Sequence, residues 1–164
     1  MPSVELWIFI SSLAGRNFLI VASAALIIYL LYKKEHKKAI VFLTAYLGGI
    51  ALNKILKELF QVPRPSDALI PIQGYSFPSG HAMSAVIFYS LLVFMFYKKI
   101  QNKIARIIFI VANGLIILLV GLSRVMLKVH TIYDVVGGYV IGLLWLFIIY
   151  KILEKIPLQR RLLH

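Results

Sequence analysis

Ser123–Asp134, SRVMLKVHTIYD, lies where two strongly apolar segments meet, and it holds two cations, a histidine and a carboxylate in twelve residues. The flanking segments are Ile104–Leu122 and Thr131 to about Leu153, each long and apolar enough to cross a bilayer as a helix. The stretch therefore reads as a turn at a membrane boundary, after which the chain re-enters the membrane. Polar groups at such a density there are costly unless a substrate or ion is handled. A plainer reading of the stretch alone makes Arg124 and Lys128 snorkelling anchors and His130 a satisfied helix-end residue. The rest of the chain decides between the two.

Of the 164 residues, 61% are apolar and 15% charged, which is far from the composition of a soluble globular domain. The apolar residues fall in several long runs. Asn17–Tyr32 is the first clear span, followed by Ala39–Phe60, Ser79–Tyr97, Ile104–Leu122 and Thr131 to about Leu153. Pro2 to about Ala14, with Glu5 and Trp7, would make a helix of about 18 Å, too short to cross, and is expected to be interfacial or partly inserted. It has no basic region ahead of its apolar stretch, unlike a cleaved leader. The expected fold is all-α: a polytopic transmembrane helical bundle of five clear spans plus a short N-terminal helix, one domain over residues 1–164. The absence of cysteine excludes disulfides and thiolate metal sites.

The net charge of +12 does not indicate nucleic acid, because the cations sit in short loops rather than on a continuous basic face. Lys33, Lys34, Lys37, Lys38, Lys98, Lys99, Lys103, Arg106, Lys151, Lys155, Arg160 and Arg161 fall on one side of the membrane. Arg16, Lys54, Lys57, Arg64, Arg124 and Lys128 fall on the other. Twelve against six places the first group, with the C-terminus, in the cytoplasm. The second side faces outward from the cell (inner) membrane.

Three stretches meet on that outward face: Lys57 to Arg64-Pro65, then Pro78-Ser79-Gly80-His81, then Ser123-Arg124 with His130 and Asp134. Each residue type suits phosphate chemistry. A phosphomonoester carries about −1.5 to −2 charge at pH 7, which Lys57, Arg64 and Arg124 can match. Ser79 and Gly80 open a helix, whose free N–H groups and dipole form an anion site that glycine lets a phosphate approach. His130 and Asp134, four apart at a helix start, share a face. The carboxylate can keep one ring nitrogen protonated while the other attacks phosphorus. His81 is a second imidazole, placed to protonate a leaving alkoxide. With Asp67 and Asp134 the only aspartates and the glutamates scattered, no metal cage or cofactor is expected, and the cations take the place of Mg²⁺.

Together these stretches resemble the signature of the type-2 phosphatidic acid phosphatase superfamily: KxxxxxxRP, PSGH and SRxxxxxHxxxD, in that order. Lys57, Arg64, Pro65, Pro78, Ser79, Gly80, His81, Ser123, Arg124, His130 and Asp134 occupy all its named positions. The resemblance implies a bundle of six transmembrane helices with the site at one end. It also implies a covalent phosphohistidine at His130, His81 as general acid, and Lys57, Arg64, Ser79, Gly80 and Arg124 around the phosphoryl oxygens. The short N-terminal segment departs from that architecture. The signature also occurs in soluble vanadium haloperoxidases, against which the apolar spans argue.

The expected function is hydrolysis of a lipid phosphate or diphosphate: a polyprenyl diphosphate, phosphatidylglycerol phosphate, phosphatidate or lipid A 1-phosphate. A phosphotransferase using the same phosphohistidine, or a non-enzymatic protein binding anionic lipids, are the alternatives. Outside the signature, Lys54 and Lys128 read first as anchors, and His36 and His164 as solvated residues. Asn113 reads as an interhelical hydrogen bond, and Gly138 with Gly142 as a close-packing pair that a homodimer could also use. Tyr75 and Phe77 suit either an interfacial aromatic belt or an acyl entry.

Overall fold

Apolar runs in lipid must satisfy their backbone hydrogen bonds internally, and here they do so as helices. The computed structural model describes residues 3–154, so Lys155, Arg160, Arg161 and His164 of the basic tail lie outside the described residues. The helices are α1 (Val4–Ser12), α2 (Arg16–Tyr32), α3 (His36–Phe60), α4 (Gly80–Phe96), α5 (Lys103–Met126) and α6 (Ile132–Glu154), with a 3-10 turn at Tyr97–Lys99. There is no strand among the described residues. Five segments are long and apolar enough to cross a membrane: α1 and α2 taken together (Val4–Tyr32), then one for each of α3 to α6.

The N-terminal stub is a separate nine-residue helix. Ser3 caps it, its hydroxyl accepting the Leu6 N–H, and the chain breaks at Leu13–Gly15 before α2 begins. It packs against α5. At the other end, α5 runs on through Met126 instead of stopping at Leu122. The last turn holds Ser123 and Arg124, both buried in protein rather than in lipid, so the end of the apolar run does not mark the end of the helix.

α4 occupies the centre, against α3, α5 and α6. Its contact with α6 depends on small residues. A Cβ on Gly138 would sit 2.8 Å from the Ser79 carbonyl oxygen, and one on Gly142 3.2 Å from Val86 Cγ1. The small-residue pair thus packs within the chain, and the face that suggested a homodimer is covered by α4. Asn113 differs from expectation as well: its amide donates to the Phe109 carbonyl at 2.7 Å, one turn back on its own helix. That bond satisfies the amide without a partner helix.

The turns sort into two ends. Glu35 pairs with Lys38 at 2.8 Å and with Lys99 at 2.6 Å, joining the α2–α3 and α4–α5 turns at one end. The α3–α4 and α5–α6 connections, with every signature residue, lie at the other.

Candidate active site

The long connection after α3 supplies the roof of the site. Gln61 closes α3 in a left-handed conformation (φ 47°). The loop is then fixed by Ser76 N–H to Val62 O (2.8 Å), Leu69 N–H to Leu127 O (3.0 Å) and a Lys128–Asp67 ion pair (2.7 Å). Lys128 is therefore an exposed loop anchor, and Lys54 also lies exposed on α3. Lys57 turns inward, its ammonium donating to the Tyr75 and Ser76 carbonyls at 2.6 and 3.0 Å. Arg64 donates through Nε to Gly74 O (2.9 Å) and through Nη1 to Val129 O (2.9 Å), with the same Nη1 3.3 Å from His130 Nε2. Burial lowers the pKa of this guanidinium and the nearby Asp134 carboxylate partly restores it.

Ser79 caps α4, and its backbone N–H donates to the Asp134 carbonyl at 2.9 Å, tying the start of α4 to the start of α6. Its hydroxyl is buried and meets no partner. Gly80 opens the helix where a Cβ would stand 3.2 Å from Asn53 Oδ1. Asn53 in turn donates to Pro78 O at 3.3 Å, which accounts for a polar residue deep in α3. His81 follows in the first turn, within the field of Arg124, Arg64 and Lys57. Arg124, in the last turn of α5, donates to the Ser11 hydroxyl of α1, while its Nε has no partner.

Asp134 is held by a reciprocal cap at the start of α6. Its Oδ2 accepts the Thr131 N–H at 2.7 Å, and its own N–H donates to Thr131 Oγ1 at 3.3 Å. The carboxylate also lies at the positive end of the helix dipole. The expected His130–Asp134 pair is present but not in direct hydrogen-bond contact, since Nδ1 and Oδ2 are 3.6 Å apart. The Ser76 hydroxyl stands between them, 2.6 Å from Oδ2 and 3.2 Å from Nδ1.

Arg64 has only protons to offer, so His130 Nε2 must accept and the ring proton resides on Nδ1. Nδ1–H then donates to Ser76 Oγ, whose own proton goes to Asp134. Burial is the largest influence on the His130 imidazole. With Arg64, Arg124 and Lys57 it pushes the pKa down to about 3, Asp134 opposing. The ring is neutral at physiological pH, with a lone pair on Nε2 facing cations.

All eight expected site residues thus converge on one end of the bundle. Ser76, Ser11, Asn53 and Thr131 join them, none of which the sequence reading nominated. Thr131 was within reach of it, because Thr-x-x-Asp at a helix start is a capping pattern. Among the described residues, no group of three or more His, Cys, Asp or Glu could hold a metal ion.

Residues 38–157 match the PAP2 superfamily. Over 113 residues the chain is 41% identical to phosphatidylglycerophosphatase B of Bacillus subtilis (strain 168), covering 67% of this chain and 55% of that protein. It is 30% identical over 116 residues to sphingosine-1-phosphate phosphatase 1 of Rattus norvegicus, covering 64% of this chain and 25% of that one. The chain therefore spans about half and a quarter of these curated relatives' lengths. Among solved structures, a transmembrane PAP2-type phosphatidylglycerolphosphate phosphatase from Bacillus subtilis superposes with a TM-score of 0.84 at 31% identity, covering 93% of this chain and 77% of that one. Aquifex aeolicus LpxE, at 24% identity, shares the fold with a TM-score of 0.70 over 90% of this chain and 85% of its own. The family match takes in the PSGH and SRxxxxxHxxxD stretches with the helices that carry them, and this integral membrane helical bundle belongs to the PAP2 superfamily.

Proposed function

We propose that the protein is a metal-independent lipid phosphatase that works through a phosphohistidine on His130. The observation that carries this reading is the geometry at that ring: Arg64 Nη1 stands 3.3 Å from Nε2 and the Ser76 hydroxyl 3.2 Å from Nδ1, an arrangement that favours the proton on Nδ1 and leaves the Nε2 lone pair for phosphorus. Two unpartnered groups, Ser79 Oγ and Arg124 Nε, together with the N–H groups that open α4, remain for phosphoryl oxygens.

In the first step Nε2 forms a bond to phosphorus as the P–O bond to the lipid breaks, and His81, which takes up a proton from solvent when the phosphate dianion binds among Lys57, Arg64 and Arg124, gives that proton to the leaving oxygen. In the second, water attacks the phosphohistidine, His81 takes the water's proton, and the N–P bond breaks to release phosphate. Lys57, Arg64 and Arg124 oppose the charge that builds on the equatorial oxygens, the task a Mg²⁺ ion performs elsewhere. The relatives' names, phosphatidylglycerophosphatase and sphingosine-1-phosphate phosphatase, support a phosphomonoester on a lipid as substrate, ahead of a diphosphate.

The test is phosphate release from purified protein in excess EDTA, with and without vanadate, on p-nitrophenyl phosphate and a panel of lipid phosphates. Activity should persist in EDTA and fall with vanadate, which mimics five-coordinate phosphorus. His130→Ala should abolish turnover and the acid-labile phosphoenzyme. His81→Ala should keep more activity on p-nitrophenyl phosphate, whose leaving group needs little protonation. Asp134→Asn should lie between, roughly 10²- to 10⁴-fold down. Label trapped on His81, or rescue of an EDTA-dead enzyme by Mg²⁺, would overturn the reading. Inorganic phosphate released in step with substrate loss separates hydrolysis from transfer to another acceptor.

A further inference from the structure

We propose that Ser76 is a positioning residue for the reaction, acting as the hydroxyl bridge through which Asp134 orients the His130 ring. The inference rests on the reading of His130 as nucleophile. Ser76 is fully buried, and its oxygen is within hydrogen-bond distance of both Asp134 Oδ2 (2.6 Å) and His130 Nδ1 (3.2 Å). The two outer groups are 3.6 Å apart, beyond a direct hydrogen bond.

A serine oxygen can give one proton and accept another, and here both capacities are used in one direction, from Nδ1–H to Oγ and from Oγ–H to Oδ2. Such a bridge fixes the tautomer, and so the lone pair on Nε2, at a separation where the carboxylate itself makes no direct hydrogen bond to the ring.

The surrounding fold holds that hydroxyl in place. Ser76 N–H donates to Val62 O at 2.8 Å, and its carbonyl accepts from Lys57 at 3.0 Å. The next residue, Phe77, fills the notch left by Gly137, where a Cβ would lie 2.3 Å from its ring. Phe77 also packs edge-on to Phe60 at 5.3 Å. The strap from Tyr75 to Phe77 is thus fastened to α3, α6 and its own loop, and the serine hydroxyl is the group it presents to the imidazole. Lys57, by gripping two carbonyls of the strap, supports the same bridge.

The experiment is a double-mutant cycle on the full chain in detergent, with p-nitrophenyl phosphate as substrate. Ser76→Ala should lower kcat about 10- to 100-fold, with KM within about twofold of wild type, since no phosphate contact is lost. Combined with Asp134→Asn, it should add less than about twofold to the Asp134→Asn loss, because both changes cut the same bridge. Ser76→Thr, which keeps the hydroxyl, should recover activity over Ser76→Ala. Fully additive losses, or a Ser76→Ala enzyme with wild-type kcat, would overturn the proposal. If Ser76→Ala did not fold, Ser76→Cys, nearly the same size and a much weaker donor, carries the same expectations. His130→Ala separates the two levels. If it turns over, the nucleophile assignment fails. If it is dead while Ser76→Ala is normal, only the bridge fails.

Discussion

His130 takes on different chemistry at its two ring nitrogens because each meets a different kind of group. Nε2 faces a guanidinium that cannot accept a proton, while Nδ1 faces a hydroxyl that can. Desolvation and three cations then keep the second proton off, holding the pKa near 3 against the ordinary 6.5. The lone pair on Nε2 should consequently stay available as pH falls through the range where a solvated histidine would charge. The titration of the His130 ring, followed by NMR on labelled protein, should show no protonation between pH 7 and 5, and a midpoint near 6.5 would contradict it. Linkage has a definite sign as well. Between about pH 3 and 6.5 the unfolded chain binds a proton that the folded one refuses, so this residue lowers stability progressively as pH drops across that window. Replacing His130 with Ala should flatten that part of the stability profile, measured as thermal midpoint against pH.

At the scale of the helix, α1 does more than its length suggests. Its last residue but one, Ser11, is buried and accepts a hydrogen bond from Arg124, whose guanidinium is almost wholly enclosed. Ser11→Ala would leave one more guanidinium N–H without a partner and free the side chain to move. A hydrogen bond to a charged group contributes about 1.5–3 kcal/mol, so KM should rise by roughly tenfold or more while the proposed phosphoenzyme on His130 still forms. Unchanged KM in that variant would mean α1 merely fills space. The spans themselves were legible, since each is a long, mainly apolar run, and so were the eleven signature positions, because their identities and order are local. Helix ends were read less well: hydropathy cannot see that Arg124 is sheltered by protein and so belongs to α5. Ser11 and Ser76 carry no mark in the sequence, because their partners lie 113, 54 and 58 residues away. The small-residue pair Gly138 and Gly142 announced close packing but not its partner, which proved to be α4.

For the whole molecule, the distribution of charge supports one orientation over the other. The segments 33–38 and 97–103 meet at the end opposite the site, and with Arg106, Lys151 and the tail beyond the described residues they carry twelve of the eighteen Lys and Arg. The remaining six include Lys57, Arg64 and Arg124, which surround His130, and Lys128, which pairs with Asp67. Basic residues near an anionic cytoplasmic leaflet gain about 1 kcal/mol each, and short loops rich in them resist translocation. On this count we infer that the site end faces out of the cell membrane, where a lipid substrate would be drawn from the outer leaflet. The chain has no cysteine, so single cysteines report sidedness without background. Asp67→Cys, exposed in the site-end loop, should react with an impermeant thiol reagent on intact cells. Gln101→Cys, exposed in the α4–α5 turn, should react only after the membrane is opened. Labelling of Gln101→Cys but not Asp67→Cys on intact cells would invert the orientation and place the candidate site in the cytoplasm.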